Sequence, residues 1–137
     1  MFTFCGRYGF IMNPYTNTWI TPVPRLRGYA STQFPYTGTS VMLALYPERD
    51  YAVEVMLFGG QKEAANKDLT LPANKNANRI KVNYDPVGGY TFEGWFEEEM
   101  TTGRVMPDSV ILPNGNVVIL NGAFVSRPSC SLHWCWL

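Results

Sequence analysis

The sequence has no charge imbalance: 11 Lys and Arg stand against 11 Asp and Glu, a formal net charge of zero. A nucleic-acid partner is read from a basic excess, and none is present. No long block of like charge marks an acidic tail or a polybasic arm. Long apolar runs are also missing. Runs such as residues 53–58 and 117–120 fall far short of the ~20 residues that cross a bilayer as a helix. Residues 1–6 show no basic segment leading into a long apolar one, so no secretory signal is read there. Cysteine is scarce and odd in number, at three, which makes a poor disulfide framework and leaves the compartment open. Histidine is limited to His133. Helical periodicity is weak throughout. Residues 61–69 have helix-forming composition but no apolar stripe at the 3–4 spacing, and are expected to form a loop with a single helical turn at most.

What remains is apolar and aromatic. Hydrophobic residues make up 46% of the 137 positions and charged residues 16%, enough for a core in one small domain. Aromatics reach 15%, spaced by 12 Gly and 10 Pro, the composition of an all-β chain of strands and turns. Strands are expected at residues 2–5, 10–12, 18–21, 40–45, 53–58, 79–83, 90–95, 109–112 and 117–120. The last two flank Pro113-Asn114-Gly115-Asn116, a hairpin signal, because Asn-Gly accepts positive φ at both central turn positions. Both strands are apolar without alternation, a pattern expected for strands covered on both faces.

The pattern recurs. Ser40-Val41-Met42-Leu43 matches Ser109-Val110-Ile111-Leu112, and Val55-Met56-Leu57-Phe58-Gly59-Gly60 matches Val117-Val118-Ile119-Leu120-Asn121-Gly122. Asn13-Pro14 with Trp19 matches Asp85-Pro86 with Trp95, and Arg27 matches Arg104. Both passes run in one order: Asx-Pro turn, Trp, Arg, apolar strand, hairpin, apolar strand, Gly. A repeated four-stranded unit with Gly and aromatic punctuation points to blades of a β-propeller. Gly59-Gly60 and Asn121-Gly122 are expected to turn the chain where strands crowd. Each Trp is expected to cover the face shared with the next blade.

Residues 11–19 (IMNPYTNTW), followed by an Arg and then Phe58-Gly59-Gly60, resemble a kelch repeat. Residues 34–43 (FPYTGTSVML), 51–60 (YAVEVMLFGG) and 103–123 (GRVMPDSVILPNGNVVILNGA) resemble the glyoxal oxidase family and its galactose oxidase relatives. The resemblance covers residues 2–123. It implies a seven-bladed propeller with a mononuclear copper site and a cysteine-linked tyrosine radical. It further implies oxidation of an aldehyde or primary alcohol, with O2 reduced to hydrogen peroxide. The family is usually secreted. Its copper ligands are two tyrosines and two histidines, in motifs that lie outside the matching stretches.

These readings combine into an expectation of about two four-stranded antiparallel blades, an incomplete ring, over residues 1–123. Residues 124–137 form an atypical tail. No catalytic and no metal residue is assigned. The complete family member binds copper; no cofactor is expected in this chain as it stands, because one histidine cannot build a two-histidine site. Cys130, His133 and Cys135 give too few ligands for a metal cluster. Arg104, Asp108 and, less directly, Arg27 are candidates for a substrate cavity, since the resemblance places their loops near the central face. The structural alternative is a buried Arg–Asp pair that holds the loop. The Glu97-Glu98-Glu99 run reads as a solvated loop, and the tyrosines as packing residues. Expected partners are a small aldehyde or alcohol in the complete family member, and self-association through exposed blade faces. The competing function is a non-catalytic kelch-type module that binds protein.

Overall fold

A computed structural model describes residues 1–27, 30–32, 37–62, 65, 68 and 70–124. The elements it forms are strands and a 3-10 turn at Pro47–Arg49. β1 (Phe2–Cys5), β2 (Tyr8–Asn13) and β3 (Thr18–Val23) make a three-stranded sheet in sequence order. β5 (Gly38–Met42), β6 (Val53–Gly59), β8 (Asn76–Asp85) and β9 (Gly89–Glu99) make a four-stranded sheet in that order. β10 (Val105–Ile111) pairs with β11 (Val117–Ala123), and the short β4 (Ala30–Ser31) with β7 (Gln61–Lys62). All pairings are antiparallel. The architecture is all-β and blade-like, and among the described residues the sheets do not close on themselves. One complete four-stranded sheet stands between a three-stranded and a two-stranded one.

The central sheet shows why these sequences pair. Leu57 lies opposite Asn78, Val55 opposite Ile80 and Val53 opposite Val82. Side chains on a strand alternate with period two, so these positions share one face. That face is apolar and packs on the three-stranded sheet through Ile11, Val23 and the rings of Phe2 and Phe4. Ile80 is fully buried and Leu57 nearly so; burial of a side chain of this size stabilises by about 1.5–3 kcal/mol. The opposite face carries ion pairs. Arg79 bonds Glu54 at 2.6 Å and lies over the Phe96 ring, and Lys81 bonds Glu93 at 2.7 Å.

Beyond β9, the β10–β11 hairpin lies alongside β5. The Thr39 and Ser109 hydroxyls meet at 2.9 Å, and the Met106 amide donates to the Thr37 carbonyl. The repeat therefore has a physical counterpart, since β5–β6 and β10–β11 are both hairpins with matching sequences. Gly59 and Gly60 have φ of 69° and 89°; Asn121 and Gly122 have 57° and 81°. Both Asx-Pro turns are also built alike. The Asn13 Oδ1 accepts from the Tyr15 amide, and the Asp85 Oδ1 from the Val87 and Gly88 amides.

Several expectations are corrected. Trp95 covers the preceding sheet, not the next one: its indole N–H donates to the Pro24 carbonyl at 2.9 Å and its ring meets Phe4 edge-on. Trp19 is not its structural equivalent. Trp19 pairs with Met12 beside the turn and is 70% exposed, whereas Trp95 lies deep in β9, within the register shift at Arg79/Lys81. Glu97, Glu98 and Glu99 are solvated as expected but lie in β9, paired with Asn78, Ala77 and Asn76. At Asn114-Gly115 only Gly115 has positive φ, at 84°. Pro113 fixes φ for a type I turn, and Gly115 then takes the left-handed position. Val110, Leu112 and Leu120 are exposed rather than covered on both faces. Gln61 and Lys62 are strand; most of residues 63–69 lies outside the described residues.

Candidate functional site

Arg104 sits where three segments are stitched together by backbone bonds. Its carbonyl accepts from the Gly60 amide at 2.9 Å, and its amide donates to the Asn74 carbonyl at 3.2 Å. The Asn74 amide in turn donates to the Gly60 carbonyl at 3.0 Å. A Cβ on Gly59 would stand 2.2 Å from the Arg104 oxygen, and one on Gly103 would stand 2.1 Å from the Ala73 oxygen. Side chains at these two positions would collide with backbone, so glycine allows the segments to close up. The result is a rigid seat for Arg104, followed by the fully buried Val105.

From that seat the guanidinium donates to the Asn121 carbonyl. The Asn121 side-chain amide donates to the Asp108 carboxylate at 3.0 Å. Arg104 and Asp108 therefore belong to one cluster, but they are joined through Asn121 and not by an ion pair. The expected buried Arg–Asp pair is corrected accordingly: Asp108 is exposed and Arg104 half-buried. Asn121 holds a left-handed φ, which Asn tolerates better than most residues because its short polar side chain finds local hydrogen bonds. Sequence reasoning missed Asn121 as a site residue. The available signal is an Asn-Gly pair standing where the first repeat has Gly-Gly.

Arg27 is exposed and follows Leu26, which is nearly fully buried and accepts both guanidinium bonds of Arg7 at 3.2 and 3.1 Å. No bond joins Arg27 to the Arg104 cluster among the described residues. The apolar cleft between the two larger sheets, about 350 Å³, is lined by Phe2, Ile11, Met42, Val55 and Tyr90 among others, and not by Arg104 or Asp108.

Chemically, the cluster offers a fixed cation, a carboxylate and a carboxamide, which can orient a carbonyl or hydroxyl oxygen. It contains no metal donor set. Among the described residues no three His, Cys, Asp or Glu side chains gather to hold an ion. Cys130, His133 and Cys135 lie outside the described residues. Copper(II) takes several nitrogen and oxygen donors in tetragonal geometry. The described residues do not fit a copper centre.

The blade-like sheets and the left-handed Gly-Gly and Asn-Gly corners define the class: an all-β protein of repeated antiparallel hairpin units. The profile of the glyoxal oxidase N-terminus matches residues 1–129, and the chain belongs to that family. It is 32% identical over 143 aligned positions to aldehyde oxidase GLOX1 of Arabidopsis thaliana, covering 97% of this chain and 22% of that protein. It is 34% identical over 125 positions to aldehyde oxidase GLOX of Vitis pseudoreticulata, covering 90% of this chain and 22% of that protein. The chain thus spans about a fifth of the length of these relatives. No solved structure matches it.

Proposed function

We propose that this chain is a blade segment of a kelch-type propeller from a copper radical oxidase that converts aldehydes or primary alcohols with O2 to give hydrogen peroxide. The observation that carries this reading is the match of nearly the whole chain to the glyoxal oxidase family and to two proteins named as aldehyde oxidases. The order of sheets supports the propeller: three strands, four strands and two strands follow one another as consecutive units would. The chain is catalytically incomplete by itself, because one histidine in 137 residues does not supply the family's ligand set. Copper is the cofactor of the complete protein. Arg104, just before β10, and Asp108, within β10, orient the substrate oxygen, and Arg27 stands on the corresponding earlier loop.

The test is a segment exchange. Residues 1–123 replace the matching stretch of the Vitis oxidase, and peroxide is followed with methylglyoxal and glyoxal. Copper-dependent turnover in the chimera is the expected result; a folded, copper-loaded chimera without turnover overturns the reading. Arg104→Ala and Asp108→Asn in the active chimera should raise KM more than they lower kcat. The isolated chain should give no peroxide with added copper. Copper-dependent turnover that survives deletion of residues 129–137 would overturn the incompleteness.

A further inference from the structure

The sequence contains two Asn-Gly pairs, Asn114-Gly115 and Asn121-Gly122, and the fold treats them differently. We propose that Asn114 is a site of spontaneous deamidation, whereas Asn121 is protected by its place in the structure. The reaction needs no partner protein. The Gly115 backbone nitrogen attacks Asn114 Cγ; a C–N bond forms, the Cγ–Nδ2 bond breaks, and ammonia leaves with a proton from the amide. Water then opens the cyclic imide to aspartate or isoaspartate. Attack requires a following residue without a side chain, freedom of the Asn backbone to rotate, and an amide nitrogen free to depart.

Asn114 meets these conditions. It is exposed at the tip of the β10–β11 turn, and its side chain is held only through Oδ1, which accepts from the Asn116 amide at 3.0 Å. No hydrogen bond from its Nδ2 occurs among the described residues. The Gly115 amide donates to the Leu112 carbonyl at 2.9 Å. That bond lies within an exposed turn and opens without disturbing the ladder, since loop tips open at the lowest free energy.

Asn121 shares the following glycine but fails the other two conditions. Its Nδ2 is bound to Asp108 and its carbonyl takes the Arg104 guanidinium. It pairs with Pro107 in the ladder, and the adjacent Gly122 is packed so closely that a Cβ would stand 2.8 Å from the Val105 oxygen. Rotating this backbone toward ring closure would open the β10–β11 sheet.

The products would alter the turn. Conversion of Asn114 to aspartate adds a negative charge to the cleft of about 250 Å³ that this position shares with Tyr46, Arg49 and Glu54. Isoaspartate adds a backbone carbon between Leu112 and Asn116, whose amide–carbonyl bond at 2.8 Å closes the turn, and so loosens the hairpin.

The test is to age the full chain in mildly alkaline buffer and map peptides by mass spectrometry. Conversion of Asn114, with Asn121 intact over the same period, is the expected result. In denaturant both sites should convert at similar rates, which assigns the selection to the fold. Asn114→Gln should abolish the product, since the larger ring closes slowly, and this variant leaves Gly115 and the turn backbone unchanged. An unchanged Asn114 in the folded chain would overturn the proposal. So would conversion of Asn121 at a comparable rate, or the same preference persisting in denaturant.

Discussion

The hairpins β5–β6 and β10–β11 carry similar strand sequences in the same register, yet they end in different surroundings. Val55-Met56-Leu57-Phe58-Gly59-Gly60 and Val117-Val118-Ile119-Leu120-Asn121-Gly122 both form strands that close on a left-handed pair. β6 is flanked by β5 and β8, and Phe58 is 4% exposed; among the described residues β11 pairs with β10 alone, and Leu120 is 46% exposed. The apolar run therefore encodes the strand and its pairing to the neighbouring hairpin arm. Burial comes from what packs against it, as in repeat proteins, where each unit is completed by its neighbours.

That difference is sharpest under truncation. Phe58→Ala removes a ring from a packed position, and should cost about 3–5 kcal/mol. Leu120→Ala trims a side chain already half in water, and should cost under about 1 kcal/mol. Urea unfolding followed by tryptophan fluorescence reads both. Similar costs would mean that β11 is covered in solution as β6 is. The corner positions give the next contrast. Gly59→Ala forces a Cβ against the Arg104 carbonyl at a φ of 69°, and should cost about 1–3 kcal/mol. Asn121→Gly keeps the left-handed backbone and loses only the amide bond to Asp108, at roughly 0.5–1.5 kcal/mol. The reverse order would place the corner's strength in the side chain and not in the backbone contact.

The uncovered regions carry a further expectation, self-association. Tyr8, Trp19 and Ile20 are exposed on the three-stranded sheet, and Val110 and Leu120 on β10–β11. Apolar surface and open strand edges of this kind favour contact between copies. Size-exclusion chromatography with light scattering should show a concentration-dependent increase in mass, reduced by Trp19→Lys. A clean monomer at every concentration would show that these surfaces are not sticky enough to matter.

Much of the fold is legible in the sequence because local signals act locally. The two hairpins, both Asx-Pro turns and the Gly-Gly corner are written in residues that act through their own φ angles and side-chain bonds. What is not legible depends on register. Trp19 and Trp95 look equivalent in sequence because each follows an Asx-Pro turn, but the irregularity at Ile80 and the different strand lengths put them in different places. β8 starts at Asn76, and the buried Asn78 stays hidden because a polar residue on a core face breaks the apolar pattern. At the candidate site, family resemblance singles out Arg104 and Asp108. The link between them, Asn121, comes from the opposite hairpin arm, and no spacing rule along one strand reveals a partner across a ladder.

The smallest expected effect separates the two Asx-Pro turns. Asn13 and Asp85 do the same mechanical work, each accepting backbone amides through Oδ1. Only Asp85 titrates. Its carboxylate accepts from the Gly88 and Val87 amides, and these bonds, Gly88 first, hold its pKa below the ordinary carboxylate value. A carboxyl with a lowered folded pKa binds its proton less readily in the folded chain than in the unfolded one. Its contribution is therefore present in full above the ordinary carboxylate range and is lost as pH falls through the lowered value. Glu93 behaves in the same direction, held low chiefly by the Lys81 hydrogen bond and then by Asn83. Acid titration of stability should thus weaken the β8–β9 hairpin while leaving the β2–β3 turn untouched. Asp85→Asn should flatten part of that dependence and keep the turn, because an amide oxygen still accepts both bonds. Amide hydrogen exchange at Val87, Gly88 and Tyr15, followed from neutral to acid pH after correction for intrinsic exchange, reads the two turns separately. Equal loss of protection at Tyr15 and Val87 would show that the turns open together with the whole chain, and that the Asp85 charge contributes nothing local.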